Sequence, residues 1–467
     1  MMPNLHSHGA RLVVLFSLIA VGGISWAQTA VYAIANVATL RAGNFAAYPN
    51  LRLNGWYTAG DGGEGELVAV PSDTTSADNS CTIYVDAAGN RFYRLMKDNP
   101  RNAINFYQCG AHGDGATPDT NAIQAAINAA GTVGTPYGGT TARIFCPAGI
   151  FLTSGNTIAA GTRIELLGEH VSGGAGCQIK AASTSVNILT VNADAFKMED
   201  VWLFGGNATG TGNCLVLGSS ALQLNDTTIS NSWISNCSNA GIQIVNGQGI
   251  FINNTTIEVA YTYGILASVG GTSGIAENVT INGSTFYDDH TAISITGSSS
   301  TDSSNAANWN IVGGTEFNDN ASASTCSINI QDANAVNISG NRFDSSQNHD
   351  ICGSSLSNLS VVGNSWSKGG GAAVTCSGCT STLVTNNNGG QMWLGYAVNF
   401  LNSAIFYFGS GSNGNVVTQN LFSCASPHAQ FGLYTDSTSN NTGVGPNMFS
   451  CATTNAYNIL GTKAWSY

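Results

Sequence analysis

The chain has 467 residues, a net charge of −12 and only 9% charged side chains, against about 25% in an ordinary soluble domain. Fourteen basic residues against 26 acidic ones leave no cationic surface for neutralising phosphates, which excludes nucleic acid as a partner. The 43% hydrophobic content, with aromatic residues running to the last position, excludes a disordered chain.

The N-terminus reads as a secretory signal. Arg11, with His6 and His8 before it, leads into the apolar run Leu12 to Val21, and Ser25-Trp26-Ala27 supplies small residues where a signal peptidase reads. This makes residues 1–27 a signal peptide, with cleavage near Ala27/Gln28. The run is shorter than the roughly 20 residues a bilayer requires, so no membrane association is expected after cleavage. The mature chain is then expected to be secreted, periplasmic or at the cell surface. Its twelve cysteines permit disulfides in such a compartment without assigning them. Cys376-Ser-Gly-Cys379 has the spacing of a redox or metal pair but neither a second pair nor a neighbouring His, and no metal is expected there. Cys326, Cys352 and Cys376 recur at similar offsets and read as a buried thiol ladder.

Residues 28–105 alternate short apolar stretches with Gly and Asp turns, as in GWYTAGDGGEGELVAV (Gly55 to Val70), and read as a small N-terminal β/loop module. In GAHGDGATPDTNAIQAAINAAG (Gly110 to Gly131), Ile123, Ala126, Ile127 and Ala130 fall at helical spacing behind Asp119 at the N-cap position. A capping helix is predicted near 119–130. Gly113-Asp114-Gly115 lacks the Lys of a phosphate loop and reads as structural. RIFCPAGIFLT (Arg143 to Thr153) reads as two strands joined by a tight turn.

From about residue 180 a repeat governs the chain. Large residues at Trp233, Ile257, Phe286, Phe317, Phe343, Trp366, Trp393, Phe422 and Phe449 recur at a drifting period averaging 27 residues. Asn stands two positions ahead at Asn231, Asn341, Asn364, Asn420 and Asn447, and Gln391 does so once. Strands this short bury nothing alone. Stacked as parallel rungs about 4.8 Å apart they satisfy each other's backbone and align like residues into internal ladders. The expected fold is all-β, a single-stranded parallel β-helix over residues 106–467 of ten or more rungs, with the aromatic anchors stacked inside. The blades of a β-propeller would need about 40 residues each.

The run GAHGDGATPDTNAIQAAINAAG followed by IFCPAGIFLTSG resembles the opening segment of the pectate lyase superfamily of right-handed parallel β-helix proteins, which includes rhamnogalacturonase-like enzymes, epimerase-like proteins and phage tailspikes. The close match covers about 45 residues, with Pro118 where the family often has a second Asp and Cys146 interrupting the strand before Pro147. GWYTAGDGGEGELVAV resembles the small module in front of many such helices. The resemblance implies a scaffold facing a polysaccharide, as a monomer or, by analogy with tailspikes, a homotrimer. Fold alone fixes no reaction.

Candidate chemistry lies on the rungs. Two positions after their anchors stand Asp288, Asp319 and Lys368, with Asp289 beside Asp288, and Glu258 and Asp344 one position after theirs. Asp288 and Asp319 on adjacent rungs fall within the carboxylate separations of glycoside hydrolysis. FYDDHTAISITGSS (Phe286 to Ser299) resembles the paired-Asp strand of polygalacturonases, which implies acid/base positions at Asp288 and Asp289. The preceding rung, EVAYTYGI, lacks the family's further Asp, and no Gly-His-Gly follows; His349 is the nearest substitute. Tyr261, Tyr263 and Tyr287, with Trp309 and Tyr396, are candidate sugar-stacking residues.

From residue 201 onward only Arg342, Lys368 and Lys463 are basic, against twelve acids. That favours hydrolysis of a neutral or weakly charged glycan over β-elimination, and no cofactor is expected unless a lyase uses calcium. The leading expectation is a secreted polysaccharide-degrading glycoside hydrolase with Asp288, Asp289 and Asp319 as catalytic carboxyls and Glu258, Asp344, His349 and Lys368 as secondary candidates. The alternatives are a non-catalytic glycan-binding or surface-structural β-helix and a calcium-assisted polysaccharide lyase. Cys424 and Cys451, each two positions after a Phe anchor, are expected to form a disulfide between rungs.

Overall fold

The computed structural model describes residues 31–96, 103–134, 142–169, 176–269, 274–298, 305–318, 326–346, 348–367, 370–390, 404–423, 429–461 and 463–466. The signal segment, Asp319, Lys368, Gln391, Trp393, Tyr396 and Cys424 lie outside these residues.

Three long parallel sheets wind around one core. A front sheet of 13 strands runs from Asp114–Pro118 to Met448–Phe449, a side sheet of 14 from Ile104–Asn105 to Lys463–Ser466, and a back sheet of 12 from Asn156–Ile158 to Ala452–Ile459. Every third strand in sequence pairs with the one before it, so the chain visits side, front and back sheets once per rung. This is the parallel β-helix expected from the repeat. The two strands around Pro147 are a corner of it, because Ala142–Cys146 lies in the side sheet and Gly149–Thr153 in the front sheet.

Along the front sheet the middle residue of each strand points inward. Ile234, Ile257, Phe286, Phe317, Phe343 and Trp366 are in register and almost completely buried. Phe286, Phe317, Phe343 and Trp366 stack face to face at 4.8–5.1 Å, with ring planes within 10°. Two expected anchors change. Trp233 pairs with Thr256, so it faces outward and Ile234 takes the internal place. In the rung assigned to Trp393 the internal residue is Gly389, in register with Trp366 and Phe422. A side chain there would overlap the Phe422 ring, which occupies the space. A one-residue error exchanges faces because strand side chains alternate.

A polar ladder runs two positions ahead of the internal residues, buried except at its last member, half-buried Asn447. Ser232, Thr255, Ser284 and Thr315 occupy it first, then Asn341, Asn364, Asn387, Asn420 and Asn447. Asn341 N donates to Asn364 Oδ1 (2.9 Å), Asn364 N to Asn387 Oδ1 (2.9 Å), Asn387 N to Asn420 Oδ1 (3.1 Å) and Asn420 N to Asn447 Oδ1 (3.0 Å). The side-chain amides of Asn364, Asn387 and Asn420 donate to Ile338, Val361 and Val384 carbonyls. Each of these links pairs a corner carbonyl or amide, as burial demands, while Asn341 Oδ1, at the head of the run, is enclosed without a well-aligned donor. Asn231 is outside this ladder. It sits one position earlier, at a corner that bends through left-handed backbone (φ +49), where Asn254, Gly340 and Gly363 also sit.

The cap helix spans Thr120–Gly134, and Ile123 and Ile127 close over Ile144, Ile158 and Leu166 at the open end of the core. Asp119 precedes it, but its carboxylate accepts from His112 N (2.6 Å) and Gly113 N (3.1 Å). It therefore ties down the glycine turn (Gly113 φ +64) instead of capping the helix. In front lies a five-stranded sheet of Tyr32–Ile34, Asn50–Leu53, Gly65–Ala69, Arg91–Arg94 and Ile83–Val85 with its own apolar core. Cys81–Cys109 bridges it to the first turn of the β-helix.

Cys146–Cys177, Cys214–Cys237 and Cys326–Cys352 cross-link successive rungs at Cα separations of 5.5–6.0 Å, and Cys376–Cys379 closes a single turn. The expected thiol ladder at Cys326, Cys352 and Cys376 is thus replaced by two disulfides. The spacing of one rung also suits the geometry of a bridge. Cys451 is disulfide-bonded.

Asp350, at the corner entering the back sheet, is 1% exposed. Burial pushes its carboxyl up to about 7, and Ser346, Trp366 and Ser327 draw it only partly back. Asp350 Oδ2, Trp366 Nε1 and Ser327 Oγ complete no well-aligned hydrogen bond, so desolvation governs. The folded chain therefore keeps a proton that the unfolded chain releases near pH 4. Stability from this group is fully present below that pH and is lost as pH rises through about 7. The expected result is a melting temperature that falls between pH 4 and 8 more steeply in the parent than in Asp350→Asn. The difference between the two curves should be worth roughly 4 kcal/mol at most. Parallel curves would show that the carboxyl is ionised inside the fold.

Candidate functional site

The outward positions of the front sheet form two parallel rows. One row carries Trp202, Trp233, Thr256, Thr285, Glu316 and Arg342 in register. The other carries Lys180, Phe204, Ser235, Glu258, Tyr287, Asn318 and Asp344. Trp202 and Trp233 stack flat at 4.6 Å and 9°, and Trp202 Nε1 donates to Ser235 Oγ (2.8 Å), which fixes the ring. Phe204 packs edge-on to Trp202 at 5.8 Å, with the Lys180 ammonium 5.8 Å above its own ring. The result is a rigid aromatic block on the sheet face, whose two rings cover each other's inner faces and leave their edges and outer faces to meet the C–H groups of a sugar.

Glu258 follows this platform, between Ser235 and Tyr287. Burial pushes its carboxyl above the ordinary value, and the Trp233 indole N–H approaching it lowers it only in part. That N–H is enclosed without a well-aligned acceptor, so desolvation dominates and favours the protonated acid. The next residue, Val259, holds φ +51, a left-handed conformation that a β-branched residue adopts only when its surroundings impose it. On neighbouring rungs Asn236, Asp288 and Ser345 fill the same corner, so the strain of Val259 is particular to the Glu258 rung.

The adjacent pair Asp288-Asp289 divides. Asp288 takes the left-handed corner position (φ +52) and is exposed, and its N–H donates to Asn318 O. Asp289 turns inward and is 1% exposed; its Oδ1 accepts from Ala260 N (2.8 Å). Burial pushes Asp289 well above its ordinary value against that amide, and the Asp288 and Glu258 charges push the same way. Asp289 is thus a buried carboxyl held in the corner and stands apart from the open sheet face. Asp288 is brought beside Glu258 because Val259 and Asp288 share one corner on successive rungs.

Among the secondary candidates besides Glu258 itself, neither Asp344 nor His349 joins this cluster, and Lys368 lies outside the described residues. Asp344 lies three rungs from Glu258, about 14 Å by strand spacing. Its Oδ2 accepts from Arg342 (2.6 Å), and although burial opposes it, Ser367, Ser345 and that guanidinium hold it below the ordinary range. His349 Nδ1 accepts from Ala372 N (2.9 Å), and burial lowers its pKa. Tyr287 is 42% exposed on the sheet face, while Tyr261 and Tyr263 sit half-buried in the corner after Glu258. Trp309 is fully buried with Nε1 donating to Ala276 O (2.9 Å), so it is core and no sugar platform. Among the described residues no group of three or more His, Cys, Asp or Glu is placed to hold a metal, and no helix is long and apolar enough to cross a membrane. Sequence reasoning missed Trp202 and the outward face of Trp233; the signal available was the Trp-x-Phe and Trp-x-Ser alternation of two consecutive rungs.

Residues 103–335 match the family described as Rhamnogalacturonase A/epimerase, pectate lyase-like, which spans the Glu258 rung. The chain is a pectate lyase-like β-helix protein. Ahead of this β-helix, residues 33–97 match the phage tail protein small four-stranded beta-sheet domain. The full-length tailspike protein 2 from Escherichia coli O157:H7 bacteriophage CAB120 is similar at 14% identity and a TM-score of 0.58, over 89% of this chain. The pectate lyase-like chain spans only 51% of that tailspike's length. The tailspike gp49 of Acinetobacter baumannii bacteriophage Fri1, a capsular polysaccharide depolymerase, is 13% identical with a TM-score of 0.52, covering 91% of this chain and 75% of that one. The A-module of the Azotobacter vinelandii mannuronan C-5 epimerase AlgE6 is 15% identical with a TM-score of 0.51, covering 78% and 99%. These likenesses are of fold. The chain matches no curated protein sequence.

Proposed function

We propose that this β-helix is an extracellular, tailspike-like glycoside hydrolase that holds a polysaccharide along the outward front sheet and cleaves it at Glu258. The observation that carries the reading is Glu258 itself, a desolvated carboxyl in register between the Trp202/Trp233 platform and exposed Tyr287. Glu258 gives its proton to the glycosidic oxygen as the bond to the anomeric carbon breaks. Asp288, one rung on and one residue along, is the partner carboxylate: at the retaining distance it bonds the anomeric carbon and water then displaces it, and at the inverting distance it takes a proton from the water that bonds that carbon. Strand spacing and rise put the two Cα atoms about 6 Å apart, a separation from which the carboxyl groups reach either the retaining or the inverting distance. The phage-tail match of residues 33–97 and the depolymerase named among the fold neighbours support a capsular or similar surface polysaccharide as substrate.

The test is a reducing-end assay of the purified chain over plant, algal and bacterial capsular polysaccharides, read beside absorbance for unsaturated sugars. New reducing ends without unsaturation are expected. Unsaturated products would assign a lyase. Binding without either product would assign the non-catalytic glycan-binding reading, which the burial of Asp289 favours by removing one reactive carboxyl from the face.

A further inference from the structure

A concave site lies at the N-terminal end of the molecule, away from the Glu258 rung, where the N-terminal module meets the cap helix. It is a crevice of about 580 Å³ with Trp56 and Tyr57 on one wall, Ser80 beside them, and Pro118, Asn121 and Asn128 on the helix side. The volume is that of a ligand pocket. The aromatic wall is held rigid: the Arg41 guanidinium sits 5.7 Å over the Trp56 ring, and Tyr57 stacks on His112 at 4.6 Å while its hydroxyl donates to Gly110 O (2.9 Å).

The polar lining is neutral in effect. Asp78 faces the crevice, but Arg41 binds it through two hydrogen bonds of 2.7 and 2.9 Å and also reaches Ser80 Oγ, so neither charge is available to a charged ligand. Across the gap Asn121 makes no side-chain hydrogen bond among the described residues, and Asn128 accepts from Gln124 with its own NH₂ left unused. The two amides stand seven residues apart, about 10 Å along one helix face, above a floor of Ala122 and Ala125. A rigid aromatic wall facing unused amides across a small-residue floor fits a ring with an apolar C–H face and hydroxyl edges. A free cation would favour a phosphate ligand, and among the described residues none lines the crevice.

We infer that this crevice binds a neutral saccharide of roughly one to three rings, at a site separate from Glu258. It gives the molecule a grip on glycan at its N-terminal end whether or not the front sheet cleaves. The experiment is saturation-transfer NMR with the full chain and galactose, N-acetylglucosamine, lactose, cellobiose and glycerol 3-phosphate as probes. At least one neutral sugar is expected to show transfer. Its affinity should fall at least about tenfold in Asn121→Ala/Asn128→Ala, the loss of one or two hydrogen bonds, and stay unchanged in Trp202→Ala, which removes half of the front-sheet aromatic pair instead. Both asparagines are exposed, so circular dichroism of the double variant should match the parent. Transfer to no sugar, transfer to glycerol 3-phosphate alone, an unchanged affinity in the double variant, or an equal loss in Trp202→Ala would each overturn the inference.

Discussion

Glu258→Gln is expected to lower turnover on the cleaved polysaccharide about a hundredfold or more, the effect of removing a general acid, with binding of that polysaccharide retained. The amide keeps the shape between Trp233 and Tyr287 but has no proton of suitable acidity to give. Folding should not suffer. The folded carboxyl has a raised pKa, so its ionised form is disfavoured by the fold and a neutral replacement leaves the melting temperature at neutral pH unchanged or higher. The same shift sets the pH profile: parent activity falls on the alkaline side as Glu258 ionises, and the variant's residual activity lacks that limb. A variant that keeps full turnover would remove Glu258 from the mechanism and leave Asp288 as the next residue to replace.

Phe343→Ala is expected to destabilise the chain by about 3 to 5 kcal/mol. Phe343 is 1% exposed and lies between Phe317 at 4.8 Å and Trp366 at 5.0 Å, each nearly parallel to it. Truncation opens a void that neither flanking ring can enter, because both are fixed by strands on either side. Denaturant unfolding checks this, and Leu421→Ala, at an exposed front-sheet position, serves as the contrast with an expected change within about 0.5 kcal/mol. Equal losses at the two positions would mean that the buried stack is no stronger than a surface contact.

The solenoid was legible in the sequence because its cause is periodic: each rung needs an inward residue, a corner and a return strand, and the pattern survives changes of residue type. The face of a given residue was harder to see. Trp233 looks like its buried counterparts Phe286 and Trp366, and only the pairing of Ile234 with Ile257 shows that the tryptophan is outside. Gly389 offers nothing to align, and Phe422 fills its place from the next rung. The cysteine spacings of 23, 26 and 31 residues carry the rung period, but a thiol ladder has the same period. At the site, Asp288-Asp289 suggested two converging carboxyls. A left-handed corner separates successive side chains instead, sending Asp288 to solvent and Asp289 to the core. Glu258 stood out less because its acidity depends on burial beside Trp233, which no local motif encodes.

The most direct measurement of the central claim is a crystal structure of Glu258→Gln soaked with the oligosaccharides that the parent releases. Sugar rings are expected over Trp202 and Trp233, continuing past Tyr287, with a glycosidic oxygen within hydrogen-bond reach of the side-chain amide introduced at position 258 and Asp288 on the same sugar unit. Oligosaccharide bound only on the side or back sheet, with the Trp202/Trp233 face bare, would contradict it.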